Sequence, residues 1–72
     1  MKQISKNLKT ERKKIGISQE ELAKELNMTR RAYSSYEYGE CEPSIDTLIL
    51  LANRFKITID ELVGRLTKTQ TN

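Results

Sequence analysis

Three times along this chain of 72 residues the same local pattern recurs: an apolar residue, a hydroxyl residue, and a second apolar residue four positions after the hydroxyl. Ile17-Ser18 precedes Leu22, Met28-Thr29 precedes Tyr33, and Ile57-Thr58 precedes Leu62. In each case the hydroxyl oxygen can cap the free N–H groups of a helix's first turn, while the apolar pair staples the entering chain to that turn. Helix starts are therefore predicted near residues 18, 29 and 58. Glu21 and Glu61 lie three residues after Ser18 and Thr58 and complete capping boxes at two of them.

Two further helices follow from spacing. Ile4, Leu8 and Ile15, with Arg12 between the last two, recur at helical intervals and predict an amphipathic helix over about residues 3–14. Gly16 then stands where glycine supports a left-handed cap. Ser44, after Pro43, opens a helix with Leu48, Leu51, Ala52 and Phe55 on one face. The last helix is expected to run to about Leu66, and the polar TKTQTN that follows has nothing to bury. The loop YGECEP is the longest break. The expectation is five helices and no strand, in one domain over residues 1–66 with a polar tail over 67–72.

Composition narrows the function. The longest apolar run, Leu48 to Ala52, is far short of the roughly 20 residues of a membrane span. MKQISKNLK at the start lacks an apolar signal-peptide core, and a single cysteine fits a reducing compartment, so the cytoplasm of a bacterium, phage host or mobile-element carrier is expected. An enzyme is not expected: there is no histidine, no glycine-rich phosphate loop, and no base beside Cys41. Carboxylate neighbours such as Glu20-Glu21 and Asp60-Glu61 sit at helix starts, where they complement the dipole. The same shortage of ligands excludes a metal site, and no cofactor is implied. The net charge is +3, but its distribution says more. Up to Arg31 nine basic residues face four acidic ones, and beyond it four face six. Positive potential concentrated in the first half suits a phosphate-bearing partner. The alternative is a solvated, lysine-rich first helix.

Between Ser18 and Gly39 the predicted elements are two short helices joined by a tight turn. Asn27 tolerates the left-handed conformation such a turn requires, and Ala23 is small where the helices cross. Arg30 and Arg31 occupy the first turn of the second helix and point outward from its leading end. In a helix-turn-helix that end meets base edges in the major groove of double-stranded DNA. An arginine can donate two parallel hydrogen bonds to guanine, discriminating by roughly 1–3 kcal/mol. Successive helical residues diverge by about 100°, so one arginine is expected to read guanine while the other grips a flanking base or phosphate. The alternative is that both clamp phosphate. Ser34 and Ser35 are small enough for close approach. Tyr33 and Tyr36 are expected on the buried side against Leu22, Leu26 and Ile45, where the Tyr33 hydroxyl needs a partner.

With SQEELAKELNMTRRAYSSYEYG in its middle and PSIDTLILLANRFKITIDEL after it, the chain resembles the Cro/C1-type (XRE) helix-turn-helix family of phage and bacterial regulators over about residues 8–63. The resemblance implies an all-α, compact five-helix, lambda-repressor-like DNA-binding domain with the helix-turn-helix at helices two and three. It implies base contacts from Arg30, Arg31 and Ser35. It implies phosphate or positioning contacts from Gln19, Ser18, Thr29, Ser34 and Tyr38. Gln19 also braces the reading helix, and Arg12 with Glu37 forms a partly buried salt bridge between helices one and three. Two features depart from the family. Glu40 and Glu42 flank Cys41 where relatives carry basic residues, so phosphate contacts there are expected to fall to backbone N–H groups and Tyr38. Leu50 stands where a polar residue is usual, and with Ile49 it suggests a subunit interface or a wider core face.

A monomer of this size reads few base pairs, so a homodimer on an inverted repeat is expected, assembled through Ile49, Leu50, Ile57, Ile59 and Val63, with Phe55 and Leu66 as further candidates. Repression needs only promoter occupancy and is favoured over activation. With no second domain, a signal is expected to act through expression level, proteolysis or a partner. The rival reading is a protein-interaction module on the same fold, such as an antitoxin or an anti-repressor's target. RNA binding is weaker still, lacking an aromatic stacking platform. Cys41, a loop cysteine with no visible partner, is more often inert than reactive.

Overall fold

Hydroxyl caps decide where four of the five helices begin. In the computed structural model, which describes residues 3–64, the helices are α1 (Gln3–Ile15), α2 (Gln19–Glu25), α3 (Arg30–Tyr38), α4 (Ile45–Phe55) and α5 (Ile59–Val63). Ser18, Thr29, Ser44 and Thr58 each accept a hydrogen bond from the backbone N–H three residues on. The boxes at Ser18–Glu21 and Thr58–Glu61 are closed in both directions. Such a cap is worth about 1 kcal/mol, enough to matter for helices as short as α2 and α5. No strand occurs among the described residues.

The core collects one face from each helix: Leu8, Leu22, Ala23, Tyr33, Leu48, Leu51, Ala52, Phe55 and Leu62. The staple residues Ile17, Met28 and Ile57 pack against it partly buried. Helix α3 packs against α1 and α2, while α5 packs against α1 and α4. Ala23 is 1% exposed, and its small side chain admits α3 close to α2. Two polar links reinforce this packing. Asn7 donates to the Leu62 carbonyl at 2.8 Å, tying α1 to α5, and Arg54 pairs with Glu25 to join α4 to α2.

Four details differ from the sequence reading. Ile45 is not buried against the tyrosines; it is 66% exposed at the first position of α4, a helix that packs against α1 and α5. Phe55 is a core residue, not an interface candidate. Ile49 and Leu50 stand outside the core, which leaves no widened core face there. The last helix ends at Val63 and not near Leu66, because Gly64 turns left-handed at φ 82. A Cβ at Gly64 would come within 2.6 Å of the Gln3 side chain, so both conformation and space require glycine. Leu66 and the tail over 67–72 lie outside the described residues.

Turn geometry supplies the first prediction. Asn27 (φ 62) and Lys56 (φ 61) are the described non-glycine residues with positive φ. Asparagine tolerates that conformation, whereas lysine has no side-chain compensation and is strained by about 1 kcal/mol. Lys56→Gly is therefore expected to stabilise the fold by about 0.5–1 kcal/mol, read as a higher urea midpoint at unchanged slope.

Candidate nucleic-acid interface

The exposed end of α3 is held in place by a buried carboxylate on the same helix. Glu37 accepts hydrogen bonds from Arg12 Nε at 2.7 Å, Arg12 Nη2 at 3.3 Å, Gln19 Nε2 at 2.9 Å and the Tyr33 hydroxyl at 2.6 Å. Its side chain is 2% exposed. Arg12 also donates from Nη1 to the Ile17 carbonyl at 2.8 Å, at the entry to α2. One acidic side chain thus joins α1, α2 and α3. Tyr33 additionally meets Tyr36 edge to face, with ring centroids 6.1 Å apart.

The network sets the protonation of its members. Burial acts to raise the Glu37 carboxyl, but the hydrogen bonds from Arg12, Tyr33 and Gln19 outweigh it and hold the group below the usual carboxylate range. Burial, then the bond to Glu37, pushes the Tyr33 phenol far above its ordinary value. The hydrogen bond to Glu37 raises the Arg12 guanidinium.

On its outer side the helix is chemically unfinished. Arg30 and Arg31 are exposed at the capped N-terminus of α3, and among the described residues neither guanidinium has a hydrogen-bond or ion-pair partner. They line a shallow depression together with Ser34, Tyr38 and Glu40. Ser35 lies beside this depression on the same helix. Its hydroxyl donates to the Ala32 carbonyl at 2.7 Å, which leaves lone pairs to accept from outside. Ser34 is mostly buried and donates to the Arg31 carbonyl at 3.1 Å. Tyr38 is 66% exposed. At the rim, Thr29 and Ser18 accept backbone N–H groups through their oxygens at 3.0 Å, which leaves each hydroxyl proton to donate elsewhere. Gln19 uses one amide hydrogen on Glu37 and retains the other.

The loop after α3 departs from expectation. The amides of Glu40 and Cys41 both donate to the Ser35 carbonyl, at 2.9 and 3.3 Å, and that of Gly39 donates to Tyr36 at 3.3 Å. The amides at 39, 40 and 41, among those expected to meet phosphate, are already used inside the protein. Sequence reasoning also missed the convergence of Gln19 and Tyr33 on Glu37. The i,i+4 spacing of Tyr33 and Glu37 was the available signal for half of it. Of the interface candidates, Ile49 and Leu50 are 41% and 51% exposed, whereas Ile57, Ile59 and Val63 lean on the core. Among the described residues no cluster could hold a metal ion, and no helix is long and apolar enough to cross a membrane.

A helix-turn-helix family model matches residues 8–62, from the middle of α1 to α5. The chain belongs to the Cro/C1-type helix-turn-helix family. It is 37% identical over 62 residues to the cryptic phage CTXphi transcriptional repressor RstR of Vibrio cholerae, covering 86% of this chain and 55% of that protein. Identity is also 37% over 62 residues with the transcriptional regulator ImmR of Bacillus subtilis, covering 86% and 49%. A crystal structure of a transcriptional regulator from Listeria innocua superposes with a TM-score of 0.84 at 35% identity, covering all of this chain and 67% of that one. The chain spans about half the length of the curated relatives it matches. The family is one of transcription regulators, not enzymes.

Removing the charge at the centre of the network should unfold the site from within. Glu37→Gln leaves the Arg12 guanidinium buried without its counter-charge and is expected to cost about 3–5 kcal/mol in urea denaturation. Because the folded carboxyl titrates below its ordinary value of 4.5, its stabilisation is complete above that pH and is lost as pH falls through the lower folded value. Wild type should therefore lose stability on acidification, while the difference between wild type and Glu37→Gln shrinks. A difference that stays constant into acid would show that the charge of Glu37 is not what matters.

Proposed function

We propose that this chain is a sequence-specific DNA-binding transcriptional regulator, a repressor that binds an inverted-repeat operator as a homodimer. The observation that carries the reading is the pair of exposed, unpartnered guanidiniums of Arg30 and Arg31 at the leading end of a helix braced from behind. Two exposed cations side by side without an ion-pair partner attract an anionic partner.

In this reading α3 enters the major groove. One of Arg30 and Arg31 addresses a guanine edge while the other grips a flanking base or phosphate, and Ser35 accepts from an exposed base amino group. Ser18, Thr29 and Gln19 retain donors at the rim and meet phosphate with Tyr38, fixing register. Ser34 offers less than the others, being mostly buried with its proton engaged. Repression draws support from the repressor named among the relatives. A dimer face built on Ile49 and Leu50 draws support from their exposure on α4.

Selection of bound sequences from a random duplex pool, near physiological salt, tests this directly. Wild type is expected to enrich an inverted repeat with half-sites about one helical turn apart. Arg30→Ala and Arg31→Ala are each expected to cost about 1–3 kcal/mol on the selected site and to relax one position of it. Uniform weakening across all sequences would make the arginine a phosphate clamp. Failure of wild type to enrich any sequence would overturn the reading.

A further inference from the structure

The loop after α3 is built to withhold donors. Gly39, left-handed at φ 81, turns the chain so that the amides of Glu40 and Cys41 fold back onto the Ser35 carbonyl. Glu40 itself is exposed and lines the same depression as Arg30, Arg31 and Tyr38. Glu40 forms no ion pair with either arginine among the described residues, so it does not serve to neutralise them in the free protein. A carboxylate can only accept hydrogen bonds. On a duplex it is repelled by every phosphate, and its favourable partners are the amino groups at the major-groove edge, N4 of cytosine and N6 of adenine.

We propose that Glu40 is a specificity-determining residue of the DNA-binding face, accepting a hydrogen bond from a cytosine or adenine amino group beside the guanine addressed by the arginines. The inference rests on the DNA-binding reading above. It makes Glu40 act in two directions. It opposes complexes held by phosphate contacts alone, in which its carboxylate has no donor to meet. It favours the register that places an amino group beneath it. Discrimination grows from both effects, because specificity is a difference between two affinities.

The test runs wild type, Glu40→Ala and Asp60→Asn through the same duplex selection and through titrations on a random-sequence duplex. Asp60 lies on α5, which packs against α1 and α4, so its variant removes the same charge away from α3. Wild type and Asp60→Asn are expected to require cytosine or adenine at one position of each half-site. Glu40→Ala, which removes the acceptor with the charge, should keep the guanine requirement, lose about tenfold in preference at that one position, and bind random duplex several-fold more tightly. If Glu40→Ala selects the same bases as wild type, the proposal is overturned whatever happens to random-duplex affinity. Equal changes in Asp60→Asn would overturn it too, since net charge alone would then explain them. If wild type itself selects nothing, the DNA-binding reading falls and the proposal falls with it.

Discussion

A single buried carboxylate organises this molecule. Glu37 has four donors within reach, from Arg12, Gln19 and Tyr33, and those donors come from three different helices. An ion pair taken out of water is seldom a net gain in stability, because desolvating two charges offsets most of their attraction. What it does supply is uniqueness of arrangement. An apolar substitute would let α3 slide or rotate against α1 and α2 at small cost, whereas the Glu37 network is satisfied in one register only. Arg30 and Arg31 are on the same nine-residue helix, so whatever fixes Glu37 fixes the backbone that carries them as well.

That rigidity bears on recognition. Ordering a flexible element on binding costs free energy that a pre-formed helix does not lose again. Here the capped N-terminus of α3, the left-handed Asn27 turn before it and the closed Gly39 turn after it leave little backbone freedom to lose. The arginine side chains keep their own rotamer freedom, so the entropic cost of a specific complex falls mainly on the two guanidinium stems. On the proposed reading, long-range steering comes from the basic first half of the chain, while discrimination falls to a few groups at one helix end.

How much of this was legible in the sequence depends on the range of the interaction involved. The caps at Ser18, Thr29, Ser44 and Thr58 were legible because a cap is decided within four residues. Asn27 was legible for the same reason. Lys56 was not: its positive φ follows from how α4 must turn into α5, and nothing in a lysine announces it. Ile45 misled because its spacing from Leu48 and Ala52 suits a buried face, yet the core takes up Leu48 and leaves Ile45 exposed at the first position of α4. The pairing of Arg12 with Glu37, 25 residues apart, was reached through family resemblance and not from spacing. Gln19 and Tyr33 joining the same carboxylate required the tertiary structure, since sequence alone does not say which donors a buried acid collects.

The donor and acceptor inventory of the face explains why so few residues can carry specificity. Ser34 and Ser35 spend their protons on the helix's own carbonyls, and the loop amides at 39, 40 and 41 spend theirs on α3. Outside partners are then left with donors at the rim, from Thr29, Ser18 and Gln19, the exposed Tyr38 hydroxyl, cationic forks from Arg30 and Arg31, and acceptors at Ser35 and Glu40. Donors at the rim suit phosphate, which only accepts, whereas acceptors near the centre suit base amino groups, which only donate. Had the loop amides pointed outward, the face would have been donor-rich throughout and would have gripped any duplex. Turned inward at Gly39, these amides leave only side chains to meet a partner at this end of α3, which on the proposed reading favours discrimination over sequence-independent grip.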